Sequence, residues 1–252
     1  MSTKAAYDEI ADWYEAEFLA NQRSVQSEME FADLLGIDQG LVDLLGPGTG
    51  TCLEVGCGTG IYAKRIRSLG WTPVGVDISA GMLRHSRGRL PAAQGDAYTL
   101  PFAANSCDAV AAVMVHTDMA DYKRALTEVF RVLQPGGRFV HIGVHPCFCG
   151  DFAERDGFQS AVIGSGYLEP SWKPGAGLDD IGTEGRGTEG RGTEGREQRD
   201  GVIRDKVGAS HQPLSMLLNS VTDQGFRLER FAEGAAPLPI TLSFVATKQS
   251  YS

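Results

Sequence analysis

Residues 51–60, TCLEVGCGTG, carry a short apolar run that reaches Glu54 and Val55 and then opens into glycines at every second position. Thr51, Cys52, Leu53 and Val55 read as a buried strand, and the stretch from Ile61 to Leu69 has helical character. Gly56, Gly58 and Gly60 between them form a tight turn, because glycine adopts positive φ without strain and lets a ligand approach main chain without meeting a Cβ. The free N–H groups of a helix start lie beside that turn. Thr72–Ile78 reads as a second strand, with Asp77 near its end, 17 residues beyond Gly60. An acid in that position accepts hydrogen bonds from ribose hydroxyls. Together the two strands describe a nucleoside-binding βαβ unit. The spacing is G-x-G-x-G, since Ile61 occupies the position where a dinucleotide fingerprint has its third glycine, and no Lys-Ser or Lys-Thr pair follows as a triphosphate loop requires.

The pattern continues on both sides. Ser79 is placed as the N-cap of a helix through Met82 to about Leu90, stopped by Pro91. A short strand precedes Asp96, and Ala97–Phe102 is a loop broken by Pro101. Ala109–Val115 is a continuous apolar run suited to a strand covered on both faces. Tyr122–Leu133 reads as a helix stopped by Pro135 and Gly136, and Gly137–Val144 as another buried strand. Strands alternating with crossover helices predict a parallel sheet. Upstream, Tyr7–Phe18 places Tyr7, Ile10, Ala11, Tyr14 and Phe18 on one helical face, and further helices are expected over Ser24–Leu35 and near Leu41–Leu45. Downstream, Pro213–Gln224 is a helix, and Phe226–Phe231 and Pro239–Lys248 alternate as strands.

Five blocks, LEVGCGTG at 53–60, GVDIS at 75–79, GDAYTLPF at 95–102, CDAV at 107–110 and EVFRVLQPGGRFV at 128–140, stand in this order. In them the chain resembles the class I S-adenosylmethionine-dependent methyltransferases, small-molecule branch, similar to the ubiquinone and menaquinone methyltransferases. The resemblance covers residues 51–145 and is weaker before Thr51 and between Gly150 and Ala209. It implies an α/β fold, Rossmann-like and doubly wound, with a mostly parallel seven-stranded sheet, an antiparallel C-terminal edge hairpin and an N-terminal helical cap. The expected organisation is a single domain over 1–252: cap 1–48, cofactor-binding core 49–149, substrate lid 150–212, and C-terminal helix and strands 213–252. The implied cofactor is S-adenosyl-L-methionine. Its implied contacts are Glu54 for the cationic amino acid end, the glycines Gly56, Gly58 and Gly60, Asp77 and Ile78 around the ribose, Asp96 and Ala97 framing the adenine, Val115, and Tyr14 from the cap. For Tyr7 and Tyr14 the alternative is ordinary packing at a helix–core boundary. For Asp96 it is a carboxylate that bonds its own turn.

Composition narrows the partners. The formal net charge is −9, which speaks against a phosphate-binding face and so against nucleic acid. No apolar run reaches the roughly 18–20 residues of a membrane span, and the N-terminus has no apolar signal core. The five cysteines lack metal-ligand spacing, so no metal is expected, and free thiols suit a cytoplasmic protein. A small-molecule acceptor and a monomer or homodimer are the expected partners. Residues 182–196 repeat GTEGR three times, a low-complexity insertion too rich in glycine to bury a face, read here as mobile surface.

Methyl transfer from a sulfonium is an in-line displacement that needs alignment and exclusion of water more than a covalent intermediate. An alcohol or phenol acceptor must lose a proton, and histidine titrates nearest neutral pH. His85 falls on a surface helix and His141 inside a strand, both structural positions. His116 and His145 follow the carboxyl ends of strands, where ligands bind in open α/β sheets, and His211 ends the segment after the repeat. His116 is therefore the expected base, with His145 and His211 behind it. Three other readings share parts of the pattern: a nicotinamide-dependent oxidoreductase, an RNA methyltransferase, and a protein that binds the cofactor for a rearrangement without methyl transfer.

Overall fold

In the computed structural model residues 5–19, 33, 35–175, 203–204, 206–207 and 208–249 are described. The N-terminal segment is α1 (Ala6–Trp13), continued by a π-helical turn over Tyr14–Phe18. A short helix α2 (Ile37–Gly40) runs into a second π turn, Leu41–Leu45. Then come β1 (Thr51–Val55), α3 (Ala63–Ser68), β2 (Thr72–Asp77), α4 (Ala80–Ser86), β3 (Ala92–Gln94) and β4 (Cys107–Val113). A 3₁₀ turn at His116–Asp118 precedes α5 (Tyr122–Val132) and β5 (Leu133–Val144). After β6 (Ala153–Asp156), β7 (Ser160–Ile163), β8 (Ser171–Pro174) and β9 (Gly208–His211), the chain closes with α6 (Leu214–Thr222), β10 (Phe226–Glu233) and β11 (Thr241–Lys248).

Seven strands form one sheet in the order β10-β11-β5-β4-β1-β2-β3. β1 pairs in parallel with β2 and β4, β4 with β5, and β2 with β3, whereas β11 is antiparallel to both β5 and β10. The expected Rossmann-like sheet with its antiparallel edge hairpin is therefore the observed one. Strand order reverses between β1 and β4, the position at which such sheets open a crevice beyond their carboxyl ends. Leu53, Val110, Leu126, Phe139 and Phe244 fill one face of the sheet, and Leu41, Leu45, Ile66, Val140 and Ile142 the other. That double coverage is why Ala109–Val113 of β4 reads as an unbroken apolar run and the second half of β5 is buried throughout. The expected helices over Ser24–Leu35 and the repeat at 182–196 lie outside the described residues, apart from Asp33 and Leu35.

Several boundaries move for local reasons. The helix after Ser79 stops at Ser86, not Leu90: Arg87 leaves the helical region, Gly88 turns at φ +83°, and Leu90 drops into the core, where it lies 2.3 Å from the Cβ position of Gly60. Ser79 is the cap that the sequence indicates, its hydroxyl accepting from Met82 N at 3.0 Å. β4 runs over Cys107–Val113 rather than Ala109–Val115, because Met114 adopts φ +57° and turns the chain out of the sheet. A left-handed methionine at a strand end is a strained conformation of the kind concentrated at functional sites. Its N–H stays tied to Ile142 O at 2.7 Å, so the turn is fixed to β5.

Candidate functional site

The glycine turn is fastened from both sides. Gly56 N and Cys57 N donate to Val76 O at 2.8 and 3.1 Å, and Gly58 N donates to Asp77 Oδ2 at 2.8 Å. All three glycines have φ between +50° and +74°. At Gly56 a Cβ would meet Val115 at 2.3 Å, so a side chain there would drive this turn off the end of β4. Asp77 also accepts from Ser79 N at 2.8 Å, through Oδ1. Its carboxylate therefore ties the glycine turn to the start of α4. With a further contribution from the Ile78 N–H, these donors still leave part of a carboxylate's roughly four acceptor positions open, which leaves room for ribose hydroxyls.

Glu54 stands at the centre of this arrangement. It is 1% exposed, and its Oε2 has no hydrogen-bond partner. Burial pushes its carboxyl up to about 8, and repulsion from Asp77 adds to the shift. Asp77 is raised as well, by burial first, against the lowering effect of its bonds from Ser79 and Gly58. A buried acid without a counter-charge is costly unless a ligand supplies the cation. Glu54 and Asp77 could therefore hold the ammonium and ribose of a nucleoside amino acid.

The remaining predicted contacts divide. Tyr14 is half-buried with its ring 6.1 Å from that of Tyr7, and Asp118, Glu15 and Asp77 add to the desolvation that raises its phenol. Ile78 is 51% exposed beside Asp77, an apolar surface next to that carboxylate. Asp96 takes its turn-forming alternative: Oδ1 accepts from Tyr98 N at 2.8 Å, the bond of a carboxylate to its own chain two residues on. Ala97 follows it, half-buried against the core. The N-terminal helix is latched to α4, since Asp8 Oδ1 accepts from Ser79 Oγ at 2.6 Å and Gly81 N at 2.8 Å, and Arg89 joins Glu15 to Thr59 O. A cavity of about 550 Å³ opens next door; of the site residues it borders only Gly60.

On the acceptor side the histidines part company. His145 has both ring nitrogens engaged: Nδ1 accepts from Cys147 N at 3.1 Å, so the proton is on Nε2, which donates to Glu233 at 2.9 Å. The ring thereby locks the chain that leaves β5. His211 Nε2 donates to Tyr167 O at 2.7 Å and its ring packs on Phe152 at 4.6 Å. β9, which carries it, lies against the 3₁₀ turn, with Ser210 Oγ donating to His116 O at 3.4 Å. His116 is buried with Nδ1 unpartnered, and burial, aided by His141, Arg204 and His211, holds its pKa well below the usual value.

Two residues on from His116 is a carboxylate that the sequence places at the rim but does not single out. Asp118 Oδ2 accepts from Tyr7 Oη at 3.2 Å, and burial pushes its carboxyl up to about 7, with Arg204 and the Tyr7 bond pulling the other way. Its signal in the sequence is its position just past β4.

The sheet is doubly wound and brings a buried acid and a glycine turn on its first strand against an acid at the end of its second. Residues 53–141 match a methyltransferase domain family. The demethylmenaquinone methyltransferase of Renibacterium salmoninarum is 38% identical over 113 residues, which cover 43% of this chain and 48% of that protein. The chain thus spans about half the length of the curated relatives it matches. A SAM-dependent methyltransferase from Thermotoga maritima superposes with a TM-score of 0.60 at 19% identity, covering 97% of this chain and 98% of that one. The (4+2) cyclase SpnF superposes with a TM-score of 0.59 at 15% identity, over 99% and 98%. The fold is therefore shared by a protein named for a different reaction, and function has to be argued from the site. No helix among the described residues is long and apolar enough to cross a membrane.

Proposed function

We propose that the protein is an S-adenosylmethionine-dependent methyltransferase acting on a small-molecule hydroxyl acceptor. The observation that carries the reading is Glu54, a buried carboxylate at the end of β1 with an unpartnered oxygen beside the glycine turn. It matches the ammonium of the cofactor's amino acid end. Asp77 and the exposed Ile78 would receive the ribose, and Tyr14 would cover the site from the N-terminal helix. When bound, the cofactor supplies a methyl group on a sulfonium, whose carbon–sulfur bond breaks onto sulfur as an acceptor lone pair forms the new bond.

The chain's own work is to place the acceptor and exclude water. The turn at His116–Asp118 would face the acceptor, with β9 packed against it. Asp118, with a carboxyl pushed up to about 7, accepts the hydroxyl proton. Its bond from Tyr7 joins the N-terminal helix to the acceptor turn, so the cap closes over both halves of the site. The net charge of −9 supports a small acceptor over RNA.

The test is transfer of label from methyl-labelled cofactor to a panel of phenols, alcohols, carboxylates and amines, with calorimetric titration of S-adenosylhomocysteine alongside. Labelled phenol or alcohol products support the reading. Binding of S-adenosylhomocysteine without transfer to any acceptor would favour a rearrangement that uses the bound cofactor without consuming it.

A further inference from the structure

Behind the acceptor turn lies a buried polar cluster that the cofactor site does not use. His116, His141 and Tyr122 are all buried, with ring centroids 4.8 Å apart for the histidine pair and 5.6 Å apart for Tyr122 and His141. Tyr122 Oη lies 2.8 Å from His141 Nδ1. His141 Nε2 and His116 Nδ1 are sealed and without partners. Both face one spot over Gly143, where a Cβ would stand 2.6 Å from the first and 2.4 Å from the second. Two nitrogens so close to one point would be joined by a small ring rotation. Only glycine at 143 permits the approach.

A proton inventory sets the direction of this chain. Tyr122 has no other hydrogen-bond partner among the described residues, and a buried hydroxyl that donates to nothing is costly. Its O–H therefore donates to His141 Nδ1. A neutral imidazole carries one proton, so that of His141 is on Nε2, facing His116 Nδ1. His116 Nδ1 is then an acceptor, and the His116 proton lies on Nε2, the nitrogen on the other side of the ring. Burial keeps both rings neutral, pushing the pKa of His141 down to about 3. The groups acting on His116 are His141, Arg204 and His211, with Tyr122 edge-on at 5.7 Å.

We propose that the Tyr122–His141–His116 chain fixes His116 as a neutral Nε2–H donor that orients the acceptor oxygen, and that His116 is not the base. His141 and Tyr122 are positioning residues that act through it. The inference rests on the methyltransferase reading and narrows the acceptor to one whose oxygen both accepts a hydrogen bond from His116 and gives its proton to Asp118, as a phenol or alcohol does. An amine lacks the second lone pair this arrangement uses.

Long-range proton–nitrogen correlation spectra of the full chain labelled with ¹⁵N-histidine read the tautomers directly at pH 7, with no acceptor needed. Both His116 and His141 are expected as Nε2–H. His145 serves as an internal reference, since Cys147 N and Glu233 hold it in the same form. In Tyr122→Phe the resonances of His141 and His116 are expected to shift together while that of His145 stays. A His116 proton on Nδ1, a doubly protonated His116, or a His116 resonance unmoved in Tyr122→Phe would overturn the proposal. The wild-type spectrum decides the tautomer even where the variant fails to fold. Titration of S-adenosylhomocysteine into wild type separates the two failures, because loss of binding there refutes the cofactor reading and leaves the tautomers untouched.

Discussion

Replacing Glu54 by Gln separates the cost of the buried charge from its use. The group is 1% exposed, and its carboxyl is pushed from 4.5 up to about 8, by burial first and Asp77 second. A carboxyl whose folded pKa lies above its unfolded value contributes stability that is fully present below the unfolded pKa and lost as pH rises through the folded one. For Glu54 that window runs from 4.5 to about 8. At about 1.4 kcal/mol per pH unit, the loss by pH 8 is roughly 4 kcal/mol as an upper bound. Asp118 adds in the same direction over a window that ends at about 7. Gln keeps the shape and removes one titration. Ligand-free Glu54→Gln should therefore match wild type near pH 4.5 within about 1 kcal/mol and exceed it by about 2–4 kcal/mol at pH 8.

The assay is a series of thermal melts of both proteins from pH 4.5 to 8.5, where a gain of that size is about 4–16 °C in Tm. In the proposed site the same substitution would remove the partner of the cofactor ammonium. Affinity for S-adenosylhomocysteine should fall by the worth of a charge-assisted hydrogen bond, about 1.5–3 kcal/mol or roughly 10- to 150-fold. Stability and binding thus move in opposite directions. A Tm difference between the two proteins that does not change with pH, together with equal affinity, would refute the reasoning, because neither an unpaired buried charge nor a ligand cation would then be present at Glu54.

Asp77→Ala frees Gly58 N and Ser79 N, so a stability loss of about 1–3 kcal/mol is expected together with a fall of more than 10-fold in S-adenosylhomocysteine affinity; calorimetry showing unchanged affinity would contradict it. Asp118→Asn should keep S-adenosylhomocysteine binding within a few-fold, lower methyl transfer by about 10²–10⁴, and remove the rise in kcat/KM near pH 7 that the ionisation of Asp118 gives the wild type. Lys248 donates to Asn105 Oδ1, Phe130 O and Leu133 O at 2.7–2.8 Å, pinning β11 to the end of α5, so Lys248→Met should cost about 2 kcal/mol, or about 4–8 °C in Tm, without changing cofactor affinity.

What the sequence made legible follows from how far apart the interacting groups stand in the chain. The glycine turn, its acid and the strand-end acid all lie between Glu54 and Asp77, where a strand, a turn and a helix impose their spacing directly. Hydrophobic runs marked β4 and β5 because both faces of the sheet are covered. Met114 was invisible to that reading. A β-compatible residue in left-handed geometry is held by its bond to Ile142 on the neighbouring strand, and no local pattern announces it. Asp96 was legible only as a choice between two roles, and its own turn takes Oδ1.

The acceptor side is assembled differently, and that explains why its histidines misled. Position past a strand end marks a residue as near the crevice; it says nothing about which ring nitrogen is free. His145 is held by Glu233, 88 residues away, and Tyr7 reaches Asp118 across 111. His141 follows the strand alternation like any core residue, yet its partner Tyr122 comes from the helix before it and its neighbour His116 from the turn before that. A histidine's chemistry is set by what its second nitrogen meets. Here that partner is a second buried imidazole, which can pass the direction of a hydrogen bond from Tyr122 to His116 but offers no charge to stabilise a protonated ring. A carboxylate in the same place would favour a base at His116; a neutral His141 favours a donor, and leaves Asp118 as the group on the turn with an affinity for the proton near neutral pH.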